Sequence, residues 1–256
     1  MSGVPSDLSQ SKNRLLAGLS PDDMDLIHPF LEWHELPVRT VIEARDQAIT
    51  RIHFLESGIL SIVATAAPDR QVEVGIIGRE GMSGMPCILG AGGSTNTGII
   101  QLAGSSLSID CAHFHSVTEK SPAMRRRFSN FVQSFFIQVS QTALATGKGN
   151  VEQRLARWLA MAHDRGYNDS LPLTHEFLST MLGVRRAGVT VALHNLEGAG
   201  LIRATRGIVT IVDLPALIDY ADGLYGIAEQ EYERLLGAPL AKAWNAPQVF
   251  SLSSLA

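Results

Sequence analysis

The segment from Leu173 to Ile202, LTHEFLSTMLGVRRAGVTVALHNLEGAGLI, constrains the chain more than any other. Thr174 is a helix-capping residue, and Phe177, Leu178 and Met181 follow at the spacing of one buried helical face. Gly183 stands where the chain must turn with positive φ, which glycine does without steric penalty. A second helix follows at once. Its apolar stripe is Val189, Ala192, Leu193 and Leu196, which leaves Arg185, Arg186, Val191, His194 and Asn195 outward. Beyond Gly198-Ala199-Gly200, LIRATRGIVTIVD reads as two β-rich arms with Arg206-Gly207 near the tip. Two helices across a tight glycine turn, followed by a hairpin, make a winged helix-turn-helix. Its second helix fits the width of a DNA major groove, and the N-terminal end of that helix reaches base edges. The residues expected to touch duplex DNA are therefore Thr174, Arg185, Arg186, Thr190, His194, Arg203 and Arg206. From Thr174 to Val212 four arginines oppose two glutamates, a net +2 within a chain whose formal charge is −4. The plainer alternative is a helical hairpin buried in a core.

The rest of the 256 residues supply a second kind of structure. From about Pro37 to Phe114, RIHFL, GILSIVA, VEVGII, TGIIQLA and SSLSID read as short strands between glycine-rich turns, the pattern of a barrel or jelly roll. Ser20-Pro21-Asp22-Asp23 opens a short helix ahead of them. Ser121-Pro122 opens a long one, in which Met124, Phe128, Phe131 and Phe135 form a stripe that Val132, Phe136 and Val139 widen. Such a helix links domains and pairs with its twin in a homodimer, while part of so wide a stripe serves the β-domain. It breaks near Gly147-Lys148-Gly149-Asn150, and VEQRLARWLAMAHDR then faces Leu155, Trp158, Leu159 and Ala162 inward. The expected fold class is α+β: a jelly-roll-like β-roll over residues 15–120, a dimerisation helix and hinge over 121–149, a winged helix-turn-helix over 150–213, and a helical extension with a loose tail over 214–256. The helical part of that extension runs from about Asp213 to Leu236.

In this order of parts the chain resembles the Crp/Fnr family of transcription regulators up to about residue 212, through LTHEFLSTMLGVRRAGVTVALHNLEGAGLI and RGIVTIVD. The stretch GREGMSG, Gly78 to Gly84, is similar to the glycine turn of that family's sensor domain, which resembles cyclic-nucleotide-binding modules. The resemblance implies duplex DNA, a second copy of the chain, RNA polymerase and a small-molecule effector as partners. It places the effector pocket near Arg79, Gly84, Met85, Thr95 and Asn96. Two departures stand out. Where relatives that read DNA like the cyclic-AMP receptor carry Arg-Glu-(three residues)-Arg, this chain has Arg186, Ala187 and Val191, so only the first contact is kept and the operator should differ. Met85 stands where the ribose-binding glutamate is expected, and no lysine or arginine occurs from Glu80 to Glu119, so cyclic AMP is not the expected ligand. No cysteine precedes Cys87, which excludes the family's N-terminal iron–sulfur cluster; haem stays open, with no axial ligand singled out.

Other signals point elsewhere. His113, His115 and Glu119 have the HxHx₃E spacing of a cupin metal motif, and a cupin-like metalloenzyme is the alternative from another class. The flanking glycines and second histidine motif of that family are missing, so no metal site and no catalytic residue is expected. A protein-interaction module whose recognition helix has lost DNA binding is a third reading, prompted by Ala187 and Val191. Gly75, Gly78, Gly81 and Gly84 recur every three residues, more in keeping with a β-roll turn than with a phosphate cradle, and Arg125-Arg126-Arg127 reads as a solvated helix face. Cys87 and Cys111 form no CxxC pair and read as buried or idle thiols. With 45% hydrophobic and 18% charged residues the chain can bury a core. No stretch reaches the roughly 18 apolar residues of a membrane span, and MSGVPSDLSQSKNRLL lacks a signal core, so a cytoplasmic protein is expected.

Overall fold

A computed structural model of the chain describes residues 3–67, 70–166 and 169–240. Two short helices, α1 (Arg14–Ala17) and α2 (Pro21–Ile27), come first, the second capped by the Ser20 side chain as its Ser-Pro start predicts. One antiparallel sheet follows, built from β1 (Glu32–Leu36), β2 (Val41–Glu43), β3 (Arg51–Ala67), β4 (Arg70–Ile77) and β5 (Thr97–Asp110), in the order β1-β5-β3-β4 with β2 also on β5. Between β4 and β5 lies α3 (Met85–Ile88). RIHFL and GILSIVA are thus one strand, as are TGIIQLA and SSLSID. The glycines that read as turns are bends instead: the register of β3 on β5 shifts around Ser57 and Ile59, Gly58 takes φ +84, and a Cβ on Gly104 would lie 2.1 Å from the Ser57 carbonyl oxygen. Strand β1, outside the expected β-region, pairs with the C-terminal half of β5, Glu32 opposite Ser108.

After the sheet come α4 (Cys111–Lys120) and the long α5 (Pro122–Lys148). The stripe Met124, Phe128, Phe131 and Phe135 is turned into the core of the N-terminal domain, where the Phe128 ring centroid lies 5.4 Å from those of both Phe54 and Phe114. The stripe is therefore spent inside the protomer. A pairing face on α5 would have to come from its outer side, where Phe136 is 62% exposed. The glycine series makes room for this packing: a Cβ on Gly75 would strike Phe135, one on Gly81 would strike Phe131, and one on Gly78 would strike Arg165. Arg127 is not a solvated residue; its guanidinium donates to the Leu15 and Arg14 carbonyls and fastens α5 to α1.

Asn150 and Gln153 form a reciprocal capping box at the start of α6 (Val151–Arg165). The C-terminal domain continues through β6 (Ser170–Leu171), α7 (His175–Leu182), α8 (Arg186–Gly198), β7 (Ile202–Thr205), β8 (Ile208–Ile211) and α9 (Leu214–Tyr220), its three strands ordered β6-β8-β7. Ile59 and Ile76, on β3 and β4, belong to this domain's hydrophobic cluster, which is why those strands are apolar on both faces. The expected single helical region after Asp213 is two helices. The second, α10 (Ile227–Leu236), returns to α5 and places Tyr232 and Leu236, with Leu240 beyond it, in the N-terminal core. The expected tail lies outside the described residues from 241 onward. Among the described residues no helix is long and apolar enough to cross a membrane.

Replacing Phe128 by Ala should remove ~3–5 kcal/mol of stability in urea denaturation, against within about 0.5 kcal/mol for the exposed Arg126→Ala. A loss below about 1 kcal/mol at Phe128 would contradict the inward stripe.

Candidate nucleic-acid interface

The helix-turn-helix is built by local chemistry. Thr174 Oγ1 accepts the Phe177 N–H at the start of α7. Its end is a Schellman motif: Gly183 takes φ +61 and its N–H bonds the Thr180 carbonyl, while the Val184 N–H bonds that of Ser179. The chain is thereby aimed straight into α8. Arg185 occupies the N-cap of α8 and makes no side-chain cap, so among the described residues the start of the helix is left without a capping side chain. Val189, Ala192, Leu193 and Leu196 are buried beneath. Arg185, Arg186, Ala187, Thr190, Val191 and His194 are exposed. Thr190 is already engaged, its hydroxyl donating to the Arg186 carbonyl and lying 3.1 Å from His175 Nδ1. Asn195 turns away, donating to Glu152.

The wing is joined to this helix directly, because Glu197 Oε1 accepts the Ala204 N–H at the start of the β7–β8 hairpin. Arg203 and Arg206 are exposed on that hairpin. Among the described residues none of Arg185, Arg186, Arg203 and Arg206 has a carboxylate within salt-bridge distance. One face of the domain therefore presents unneutralised guanidinium groups beside an uncapped helix N-terminus, an arrangement suited to polyanions.

This face is held in place by an interface with the sheet domain that the sequence does not reveal. Arg165, at the end of α6, donates from Nε to Glu80 Oε1 at 2.9 Å, and each side chain is only 2% exposed. Glu80 lies inside the Gly78–Gly84 turn; its other oxygen accepts the Gly78 N–H, and its carbonyl accepts the Tyr232 hydroxyl of α10. Gln138 of α5 bonds both the N–H and the C=O of Ile76. Trp158 Nε1 donates to Glu73 of β4. Glu73 is fully enclosed, and burial pushes its carboxyl up to about 7 against the lowering pull of Ser61, Trp158, Arg157 and Arg165. Burial also pushes Arg157 down to about 10, while its Nε donates to the Leu224 carbonyl. Where β4 meets the helix-turn-helix, a cleft of about 720 Å³ is lined by Arg70, Val72, Arg154, Gly183 and Arg185.

The five effector-pocket candidates stand in different settings. Arg79 lines a crevice of about 160 Å³ with Arg14, His163, Asp164 and Asp169. Gly84 starts α3, and its N–H is taken by the buried carboxylate of Glu43 at 2.7 Å. Met85 is packed in the core, Thr95 is exposed, and Asn96 is half-buried in the loop before β5. The cupin-like alternative built on HxHx₃E is not supported by the secondary structure. His113 and His115 lie on α4, where residues two apart point to different sides, and the His113 ring stacks on Phe30 with centroids 4.4 Å apart. No group of three potential metal ligands occurs among the described residues.

Comparisons agree with this geometry. The family model for Crp-like helix-turn-helix domains matches residues 153–220. The fold is similar to that of a protein from Eubacterium rectale assigned to the Crp/Fnr family, at TM-score 0.64 and 20% identity over 82% of this chain and 98% of that one. It is similar also to a CRP-family transcriptional regulator from Thermus thermophilus (TM-score 0.61, 18% identity, 74% of this chain and 97% of that one). A third similar structure is the c-di-GMP-responsive global regulator CLP of Xanthomonas campestris (TM-score 0.60, 16% identity, 75% and 99%). A comparison with curated proteins finds no match.

Because Glu73 holds a proton in the folded protein that it has lost when unfolded, its contribution is full below pH 4.5 and is lost as pH rises toward 7. The loss should reach roughly 3 kcal/mol across that window. Urea denaturation at a series of pH values should show this fall, and Glu73→Gln should remove it; an unchanged slope in the variant would contradict the burial assigned to Glu73.

Proposed function

We infer, from a chain whose residues 153–220 form a Crp-like helix-turn-helix domain and whose fold is that of the Crp/Fnr proteins, that it is a transcription regulator binding duplex DNA as a homodimer. The observation that carries this reading is the exposed arginine face at the uncapped start of α8, continued by the arginines of the wing. In this reading Arg186 enters the major groove and pairs bidentately with guanine, and the free amides of α8 and Arg185 receive a phosphate. Val191, 55% exposed, is an apolar group of the right kind to meet a thymine methyl. Arg203 and Arg206 hold the flanking backbone, and Thr174 and His194 stand at the edge of the contact.

Dimerisation through the outer face of α5, centred on the exposed Phe136, would present two such helices about one turn of DNA apart. The effector would be a small molecule other than cyclic AMP. The turn amide at Gly84 is already taken by the buried Glu43 carboxyl group, and residues 80–119 contribute no lysine or arginine for a phosphate. A ligand that shifts the glycine turn acts on Glu80, and through Arg165 on the DNA-binding domain, so its effect is a shift of population between two domain arrangements.

On a duplex selected from a random pool, Arg186→Ala should cost ~1–3 kcal/mol and relax preference at one position, whereas Arg206→Ala should weaken all duplexes alike and lower the salt slope by about 1. Two variants that bind like the parent would overturn the DNA-reading assignment. In sedimentation the parent should be a dimer and Phe136→Glu a folded monomer; a monomeric parent that still binds DNA would refute the dimer.

A further inference from the structure

Cys87 and Cys111 stand 24 residues apart in sequence, yet their Sγ atoms lie 3.2 Å apart, and both are free thiols. Cys87 sits on α3 and is 3% exposed; Cys111, the first residue of α4, is partly exposed. The backbone on each side is fixed. The Cys87 N–H bonds the Gly84 carbonyl, the Cys111 N–H bonds that of Thr50, and Cys111 Sγ lies 3.2 Å from the Ile49 carbonyl oxygen. Two thiols meeting from different elements, each with its main chain anchored, are placed to react with one another with little rearrangement.

We propose that Cys87 and Cys111 are a redox-modifiable pair, converted by a hydroperoxide to an intramolecular disulfide that ties α3 to the start of α4. The more exposed Cys111 is the entry point. Its thiolate attacks the peroxide, an S–O bond forms as the O–O bond breaks, and the alcohol (water, for hydrogen peroxide) leaves. Cys87 Sγ then displaces hydroxide from the sulfenic sulfur, forming the S–S bond as the S–O bond breaks, and the hydroxide departs as water with the Cys87 proton. In sum, two thiols and one hydroperoxide give a disulfide, an alcohol and water, and a dithiol reductant reverses the change.

Burial, the neighbouring Cys87 and then the carboxylates of Asp110 and Glu43 hold the Cys111 thiol up to about 12, and burial likewise raises Cys87. Thiolate is therefore scarce at neutral pH, and the pair answers to sustained oxidation, not to brief low exposure. The bond would close a loop containing the connection from α3 to β5, where Thr95 and Asn96 lie, and would fix α3 where it packs on α4 and α5.

The test is the intact mass of the full-length reduced protein through a hydrogen peroxide time course, quenched with N-ethylmaleimide in denaturant. The expected product carries no maleimide, has lost two hydrogens, runs as a single chain on a non-reducing gel, and regains two maleimide labels after dithiothreitol. Its thermal midpoint should lie above that of the reduced protein. Peroxide giving only oxygen adducts on separate cysteines, or only cross-linked dimers, would overturn the proposal, as would two labels persisting under peroxide and under diamide. Cys87→Ser should leave Cys111 as a sulfenic acid that dimedone tags. Should that variant not fold, the wild-type masses decide alone.

Discussion

The buried ion pair between Glu80 and Arg165 is the interaction on which the arrangement of the two domains depends. Removing two charges from water is expensive, and their attraction offsets this only when further hydrogen bonds satisfy them. Here they do: Glu80 also accepts the Gly78 N–H, Arg165 also donates to the Met161 carbonyl, and Glu229 of α10 stands 3.9 Å from the Arg165 guanidinium. Removing one partner would strand a buried charge at a cost of about 3–5 kcal/mol, so the pair specifies one docking of α6 on the glycine turn. The other contacts across this boundary, Gln138 with Ile76 and Trp158 with Glu73, require that docking to be in place.

Those contacts make the glycine turn a part of the DNA-binding domain's support. Gly78 has no side chain because Arg165 fills that space, and Gly75 and Gly81 are bare because Phe135 and Phe131 fill theirs. A series that resembles a ligand-binding loop thus also serves as the seat of two helices. The C-terminal helix α10 closes the assembly by returning from beyond the wing to bond Glu80 and to lend Tyr232, Leu236 and Leu240 to the first core.

The parts legible in the sequence are those set by neighbours a few residues away. Thr174, Gly183 and the stripe from Val189 to Leu196 act within one or two helical turns, so the helix-turn-helix could be read with its wing from residues 173–212 alone. Legibility failed where distant contacts decide. Gly58 and Gly104 look like turn glycines because the backbone each one meets across the sheet, at Leu102 and Ser57, is distant in sequence, and only pairing shows that each bends a continuous strand. CAHFHSVTE carries a metal-like spacing that the helix of α4 disperses. Nothing local distinguishes Glu80 and Arg165 from surface charges, or shows that Cys87 and Cys111 meet.

In the proposed homodimer two α8 helices would enter successive major grooves. Hydroxyl-radical and methylation-protection footprinting of the full-length protein on a duplex selected from a random pool tests this most directly. The predicted result is two protected patches related by inverted symmetry, their centres about 34 Å apart along the duplex, with guanine N7 shielded in each. A duplex left unprotected at every concentration and with a metabolite extract added, or protected without groove preference, would contradict it.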